Sequence, residues 1–342
     1  MLYEMMPGTP GSVIDRLVGR LRACPDVAAW AVGLAGRTFV VVSGDESRVP
    51  ALDAATAEVV LAEHSTTDRG YWLVGRESRV APDQVRIGRG VVGDGDVWCA
   101  AGPCALESVP DTLETAHVLR AQGARALRMG LFKPRSSPYH FQGKGRGGLA
   151  DLAAIRAEVG LPVVTEVLDP RDVQAVAEVA DCLQVDTRNM SNRALLAELG
   201  TIDRPVLLMR GLRSSVSDWL RAAEFVFSRG NRAIVLCARG VATFDDSLAF
   251  QPDFGAILAV RQRCDLPVVF DPSHSTGRRH AIAPAALAAF AFGADGILLE
   301  SFLRPERLYR PGDGDQMYPP GRVAELLEAC RQVRAVFDRV DV

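Results

Sequence analysis

The chain has 342 residues, longer than one ordinary domain and enough for a barrel of about 250 residues plus a small extra module. Apolar residues make up 48% and charged residues 24%, which excludes a disordered class and fits a soluble protein with a sizeable core. A net charge of −3 lacks the basic excess of a nucleic-acid or membrane-surface binder, so any basic cluster is expected as a pocket, not a face.

Seven cysteines are scattered without a close CxxC pair, and the start MLYEMMPGTPG lacks the basic and apolar regions of a secretion signal. A reducing, cytoplasmic compartment is the expectation. No apolar run reaches about 18 residues without a charge or a breaker, so no membrane span is expected.

Along the chain, Val13, Ile14, Leu17, Val18 and Leu21 repeat at helical spacing over 12–23, and a β-rich run follows over 38–42. A helix over 53–63 and a second strand-like piece over 71–74 complete an α+β module spanning 1–76. The stretch 77–96, rich in Gly, Asp and Arg, reads as a linker with a short hairpin that caps the larger second domain. From 97 to 342, apolar β-rich runs recur at 97–101, 126–129, 163–167, 183–185, 206–208, 234–237, 268–270 and 297–299, with helical segments such as 112–122, 216–228 and 285–292 between them. Strand and helix alternating about eight times predict a closed (β/α)₈ TIM barrel. A doubly wound open sheet is the alternative, but no GxGxxG follows the first strand.

In such a barrel every loop after a strand opens on one face, so residues far apart in sequence can converge. The first strand ends in AAGPCALES, where Gly102 and Pro103 turn the chain and bring Cys104 to the rim. A cysteine there either ligates a soft or borderline ion or serves as a small apolar residue, the reading that suits Cys182 and Cys237 within strands. The seventh ends in DPSHSTGRR, with Asp271 and His274 on either side of a Pro-Ser turn, and the eighth delivers Glu300 after apolar residues, where burial demands a partner or a metal. The loop beyond carries DGDQ, with Asp313 and Asp315 as alternative ligands. Sulfur, nitrogen and oxygen donors together suit a divalent Mn, Fe, Co or Zn better than Mg or Ca.

Anion recognition is the second signal. RMGLFKPRSSPYHFQGKG follows the second strand and packs Arg128, Lys133 and Arg135 round a proline, ahead of the hydroxyls of Ser136 and Ser137. Guanidinium forks match carboxylate and phosphate geometry, so this loop fits a phosphorylated substrate. Arg188 after the fourth strand and Arg239 after the sixth add cations on the same rim.

The motifs AGPC, R-x-G-x-FKPR-[ST]-SPY-x-FQG, TEV, RNM-x-N, RG after strand five, ARG-x-x-TF, DPSHS-x-GRR and E…DG-x-Q resemble, in order, the type I beta class of 3-deoxy-D-arabino-heptulosonate 7-phosphate (DAHP) synthases, relatives of the octulosonate 8-phosphate synthases. The resemblance covers nearly the whole chain and implies a ferredoxin-like N-terminal regulatory module. It implies the condensation of phosphoenolpyruvate (PEP) with erythrose 4-phosphate, the first step of the shikimate pathway. By it Cys104, His274, Glu300 and Asp313 hold a divalent metal, with Asp315 as the fallback for the fourth. Arg128, Lys133, Arg188 and Arg239 match PEP-binding cations, Glu166 a carboxylate near that ligand, and Arg135 and Ser136 the contacts to the aldose phosphate. Lys133, between the substrates, is the candidate for proton transfer, on the expectation that neighbouring cations lower its pKa. Feedback by an aromatic amino acid such as Tyr or Phe and a homo-oligomer, a tetramer or a dimer, are further implications, with a purely structural cap the alternative role for the module.

Several positions depart from the family's pattern. Met209 stands where LLKRG has a lysine, VDTR replaces IGAR and brings in Asp186, Ala238 and Ala242 replace Glu and Arg, and Phe302 replaces a histidine. Arg210 is not expected to substitute for the lost lysine, because neighbouring strand residues face opposite ways. Two further functions are therefore weighed: a sibling carbon–carbon bond-forming synthase with another aldehyde or enol donor, and a barrel that binds metabolites or a partner without turnover.

Overall fold

The computed structural model describes residues 1–66, 69–135, 137–309 and 311–340, the side chains of 311–313 excepted. The N-terminal module runs β1 (Leu2–Met5), α1 (Gly11–Arg22), β2 (Val27–Leu34), β3 (Arg37–Gly44), α2 (Ala54–Ala57) and β4 (Val60–His64), with sheet order β2-β3-β1-β4. That is the ferredoxin-like β-α-β-β-α-β arrangement. Period-two alternation splits the sheet: Tyr3, Met5, Val40 and Val42 pack with Leu17, Val18 and Leu21 of α1, while Leu2, Phe39 and Val41 join the core that continues into the barrel.

Two expectations fail in this module. The helix expected over 53–63 is only the single turn of α2, capped by Asp53, because Val60–His64 pairs antiparallel with β1 instead. Nor do residues 71–74 form a strand; the backbone N–H groups of Trp72, Leu73 and Val74 donate to the carboxylate of Glu224 at 3.0, 2.9 and 2.9 Å. This segment is thereby tied to the barrel. Trp30 Nε1 donates to Ser228 O at 2.7 Å and Arg37 to Ser78 O at 2.6 Å, further fastening the module.

A hairpin of β5 (Val85–Ile87) and β6 (Gly90–Val92) comes next, and Val85, Ile87 and Val92 pack with Trp98 at the bottom of the barrel. The barrel itself alternates β7 (Trp98–Gly102), α3 (Val109–Ala121), β8 (Ala126–Arg128), α4 (Leu149–Val159), β9 (Val163–Glu166), α5 (Val173–Val179), β10 (Cys182–Val185), α6 (Arg193–Leu199), β11 (Val206–Met209), α7 (Val216–Phe227), β12 (Ile234–Ala238), α8 (Gly255–Arg263), β13 (Val268–Phe270), the short α9 (Pro272–Thr276), α10 (Arg279–Ala291), β14 (Gly296–Glu300) and α11 (Val323–Arg339). Strands β7 to β14 close in sequence order, all parallel. Glu224 lies on α7, so the 72–74 segment is tied to the fifth helix of the ring, and Trp30 of β2 reaches Ser228 at the end of that same helix. Among the described residues no helix is long and apolar enough to cross a membrane.

Inward positions fill the barrel with Ala100, Ala126, Val164, Cys182, Leu207, Val235, Cys237, Val269 and Leu298, while the alternate positions, such as Leu127, Leu183, Leu208 and Ile297, face the helices. Each strand is therefore buried on both faces and reads as a continuous apolar run.

Candidate active site

Continuing the inward parity by two residues beyond each core position leads to the mouth of the barrel. Ala126 leads to Arg128, Val164 to Glu166, Cys182 to Gln184 and Asp186, Leu207 to Met209, Cys237 to Arg239, Val269 to Asp271 and Leu298 to Glu300. Six of these eight, with Cys104, Lys133, Pro134, Arg135, Arg188, His274 and Gln316, line a cavity of about 210 Å³, and Glu300 stands behind that wall on Arg128. A larger cavity of about 440 Å³ opens under the hairpin at the opposite mouth, remote from this chemistry.

Three of the expected metal ligands meet. The ligand atoms of Cys104, His274 and Glu300 all lie within 4.8 Å of one another. Bonds of about 2.0–2.3 Å to one ion place opposite ligands up to about 4.5 Å apart, so this spacing suits a shared ion, and the mixed donor set suits a borderline one. Asp313, the expected fourth ligand, has its side chain outside the described residues. The Asp315 side chain is not part of the cluster.

Local sequence explains how each ligand is aimed. In AGPC, Gly102 is required because a Cβ there would lie 2.2 Å from the Arg128 carbonyl, and Gly130 because one would lie 2.8 Å from the Cys104 carbonyl. In DPSH, Asp271 is the N-cap of α9: it accepts from His274 N at 2.9 Å and pairs with His274 Nδ1 at 2.7 Å, which turns Nε2 toward Glu300 Oε1, 2.9 Å away. Glu300 N donates to Ser273 Oγ at 2.9 Å, and its carboxylate accepts from Arg128 at 2.9 Å and from Gln316 Nε2 at 2.6 Å. Burial works against charge on both His274 and Glu300, yet each wins. Asp271 and Glu300 hold the imidazole's pKa well above its ordinary value; His274 and Arg128 hold the Glu300 carboxyl well below its own.

The cations divide by partner. Arg128, buried, is held by Glu300; Lys133 Nζ reaches Cys104 O at 3.2 Å and Glu166 Oε2 at 3.4 Å; Arg239 meets Asp186 at 3.1 Å. Arg135 donates to Phe141 O at 3.3 Å, and the exposed Arg188 donates to Pro134 O. Ser136 lies outside the described residues. The lowered pKa expected for Lys133 is not found. Burial pulls it down, but the negative charges of Cys104 and Glu166 outweigh this and keep the ammonium protonated above its usual range. Burial also pushes the Glu166 carboxyl up despite Lys133, and its Oε1 is buried without a hydrogen-bond partner.

Met209 faces the cavity, with Gln184 Nε2 at 3.5 Å from its sulfur, whereas Arg210 turns away and is held by Asp253 at 2.6 Å and Ser214 O at 2.9 Å. Phe302 packs with Leu308 and Met317. The positioning roles of Asp271 and Gln316 and the cavity lining by Gln184 were missed in the sequence. An Asp-Pro helix start and the inward parity of Gln184 with Cys182 are the signals that point to two of them.

Fold and site together define a barrel enzyme in which a sulfur–nitrogen–oxygen cluster that could hold a metal ion lies beside a cationic pocket. The pattern of the DAHP synthetase I family matches residues 77–338, and the chain belongs to that family. Phospho-2-dehydro-3-deoxyheptonate aldolase of Thermotoga maritima is 38% identical over 297 residues, 87% of either chain. The 2-dehydro-3-deoxyphosphooctonate aldolase of Acidithiobacillus ferrooxidans is 34% identical over 259 residues, 70% of this chain and 90% of that one. The crystal structure of the DAHP synthase from Thermotoga maritima matches with a TM-score of 0.73 at 32% identity, over 99% of this chain and 97% of the other.

Proposed function

We propose that this chain joins PEP to erythrose 4-phosphate in a metal-dependent, aldol-type condensation that consumes water and yields DAHP and phosphate. The observation that carries the reading is that the Cys104–His274–Glu300 cluster and the cavity with Arg128, Lys133 and Arg239 share one mouth. Cys104, His274 and Glu300, with Asp313 as fourth ligand, would hold a divalent ion, which would supply Lewis-acid polarisation of the aldehyde oxygen. Mn, Fe, Co and Zn all suit the donors.

Arg128, Lys133, Arg188 and Arg239 bind the carboxylate and phosphate of PEP, with the Glu166 carboxylate near that ligand, and Arg135 with Ser136 holds the aldose phosphate. Carbon 3 of PEP attacks the aldehyde carbon, water adds at carbon 2, and phosphate departs. Lys133 gives a proton to the new alkoxide oxygen, a role supported by its protonated Nζ lying beside Cys104 O and Glu166. Free thiols at all seven cysteines support a reducing cytoplasm. Aromatic amino acid control through the ferredoxin-like module, residues 1–76, and a homo-oligomer complete the proposal.

A second reading rests on Met209 in the pocket wall: a sibling synthase with another acceptor. The names of the two relatives differ by one carbon, so the acceptor test compares a four-carbon with a five-carbon aldose phosphate. PEP consumption and phosphate release with Mn²⁺ are expected with erythrose 4-phosphate and to stop with a chelator. Consumption with a pentose phosphate alone would establish the sibling, and none with any aldose, metal bound, would overturn both.

A further inference from the structure

Charge at the mouth of the barrel comes from two arcs. On the β7–β9 side stand the buried Arg128 and Lys133 with Glu166; on the β10–β12 arc the inward positions are Gln184, Asp186, Met209 and Arg239, with the exposed Arg188 beyond them at the rim. Arg239 is the one cation among those four, and it is engaged. Its Nη1 donates to Asp186 Oδ1 at 3.1 Å, the Phe250 ring lies 5.2 Å from its Cζ, and its Nε is buried with no hydrogen-bond partner. Asp186 is held on its other oxygen by Thr187 Oγ1 at 3.3 Å. Next to them Met209 contributes no charge, and its sulfur is only a weak acceptor for Gln184.

We propose that Asp186 is an internal competitor for the donor's anionic group: it occupies Arg239 in the free enzyme and sets how weakly, and how selectively, the β10–β12 arc grips PEP. The inference rests on the proposed function, in which PEP occupies this cavity. A planar guanidinium offers five donors in a fixed fork, and here one is taken by a carboxylate while another, Nε, is buried without a partner. An anion can bind Arg239 fully only by displacing or sharing the carboxylate, and two anions share one guanidinium with mutual repulsion. Specificity follows from the same contact. A ligand bringing a hydroxyl or an ammonium to Asp186 is accepted, while a bare phosphate or carboxylate is penalised. Asp186 is thus a specificity-determining neighbour of Arg239.

The test uses the metal-loaded full chain and two probes, inorganic phosphate and PEP, measured by calorimetry and by steady-state kinetics. In Asp186→Asn, both probes are expected to bind on the order of tenfold more tightly, the size of one charge-assisted hydrogen bond regained. KM for PEP falls by a similar factor while KM for the aldehyde and kcat stay within about twofold. A merely structural role would not tighten binding, nor make the phosphate-induced rise in Tm larger in the variant than in the parent, as expected here. In an Arg239→Met background the Asp186 substitution loses its effect. Unchanged or weaker phosphate binding in folded Asp186→Asn overturns the proposal. If that variant does not fold, Thr187→Val, which loosens Asp186, is expected to tighten phosphate by a few fold, and no change overturns it. Phosphate binding needs no turnover, so the two readings fail separately: a parent without PEP consumption sinks the condensation, and a turning-over parent whose variant binds no tighter sinks the competitor.

Discussion

Asp271 decides which nitrogen of His274 is free to bind a metal, and Asp271→Asn tests that directly. Asp271 is fully buried, and both oxygens are committed, one to the His274 backbone N–H at 2.9 Å and one to Nδ1 at 2.7 Å. An asparagine has one oxygen for the two tasks. If that oxygen keeps the helix cap, its NH₂ faces Nδ1 and favours the tautomer with the proton on Nε2, the atom that points at Cys104 and Glu300. If the amide flips, the cap is lost, at about 1 kcal/mol, and NH₂ opposes the backbone N–H. Losing the carboxylate behind a ligating histidine weakens metal affinity roughly 10- to 100-fold, or about 1.4–2.8 kcal/mol. Calorimetric titration of the metal-free protein with Mn²⁺ reads this shift. Activity should fall at limiting Mn²⁺ and recover in large part at saturation. An Asp271→Asn protein that binds Mn²⁺ as tightly as the parent would refute the reasoning.

Cys104→Ser should weaken Zn²⁺ by at least about tenfold and Mn²⁺ less, because the softer ion loses more when thiolate becomes hydroxyl; equal losses for the two ions in competition titrations would count against sulfur ligation. Met209→Lys places a cation on the arc where Arg239 is occupied, so KM for PEP should fall by about tenfold with kcat unaltered or raised; a clear drop in kcat/KM for PEP contradicts the charge argument. Glu4, buried against Arg37 at 2.6 Å and His64 at 3.2 Å, has its carboxyl lowered from 4.5 chiefly by Arg37's hydrogen bond, against the opposing effect of burial. Its stabilisation is therefore complete above about 4.5 and lost as the pH falls through the depressed folded value. Because Arg37 also reaches Ser78 O, acid should loosen module docking, seen as a change in Trp30 and Trp72 fluorescence that Glu4→Gln abolishes. An identical acid profile for that variant would show that the Glu4 contact is not the sensor.

The barrel was legible because its strands are buried twice over. Runs such as 206–208 and 234–237 have no polar face, are bounded by turns and alternate with helical periods, so their edges shift by only a residue or so in the structure. The N-terminal module was not, for opposite reasons. Leu2–Met5 is four residues long, and Val27–Leu34 is built from Ala and Gly as much as from β-formers, so neither announces a strand; pairing with Arg37–Gly44 makes them strands. Asp53 does start a helix, but Val59 and Val60 follow within two turns and the edge of β1 captures them. Residues 71–74 have the apolar look of a strand while their N–H groups go to one carboxylate far along the chain, a pairing that no local pattern encodes.

Within the site, what was legible follows from parity. A strand residue that faces the barrel core predicts that its neighbour two positions on faces the same way, and this alone carries Arg128, Glu166, Asp186, Met209, Arg239 and Glu300 to one mouth while sending Arg210 to Asp253. Lys133 and His274 escape the rule, since one sits on a loop and the other on a short helix. The charge state of Lys133 then depends on Cys104 and Glu166, which arrive from two other strand ends. The expectation of a lowered pKa counted the cations adjacent in sequence, Arg128 and Arg135. Space supplies the anions instead, and at these distances the nearest opposite charge governs.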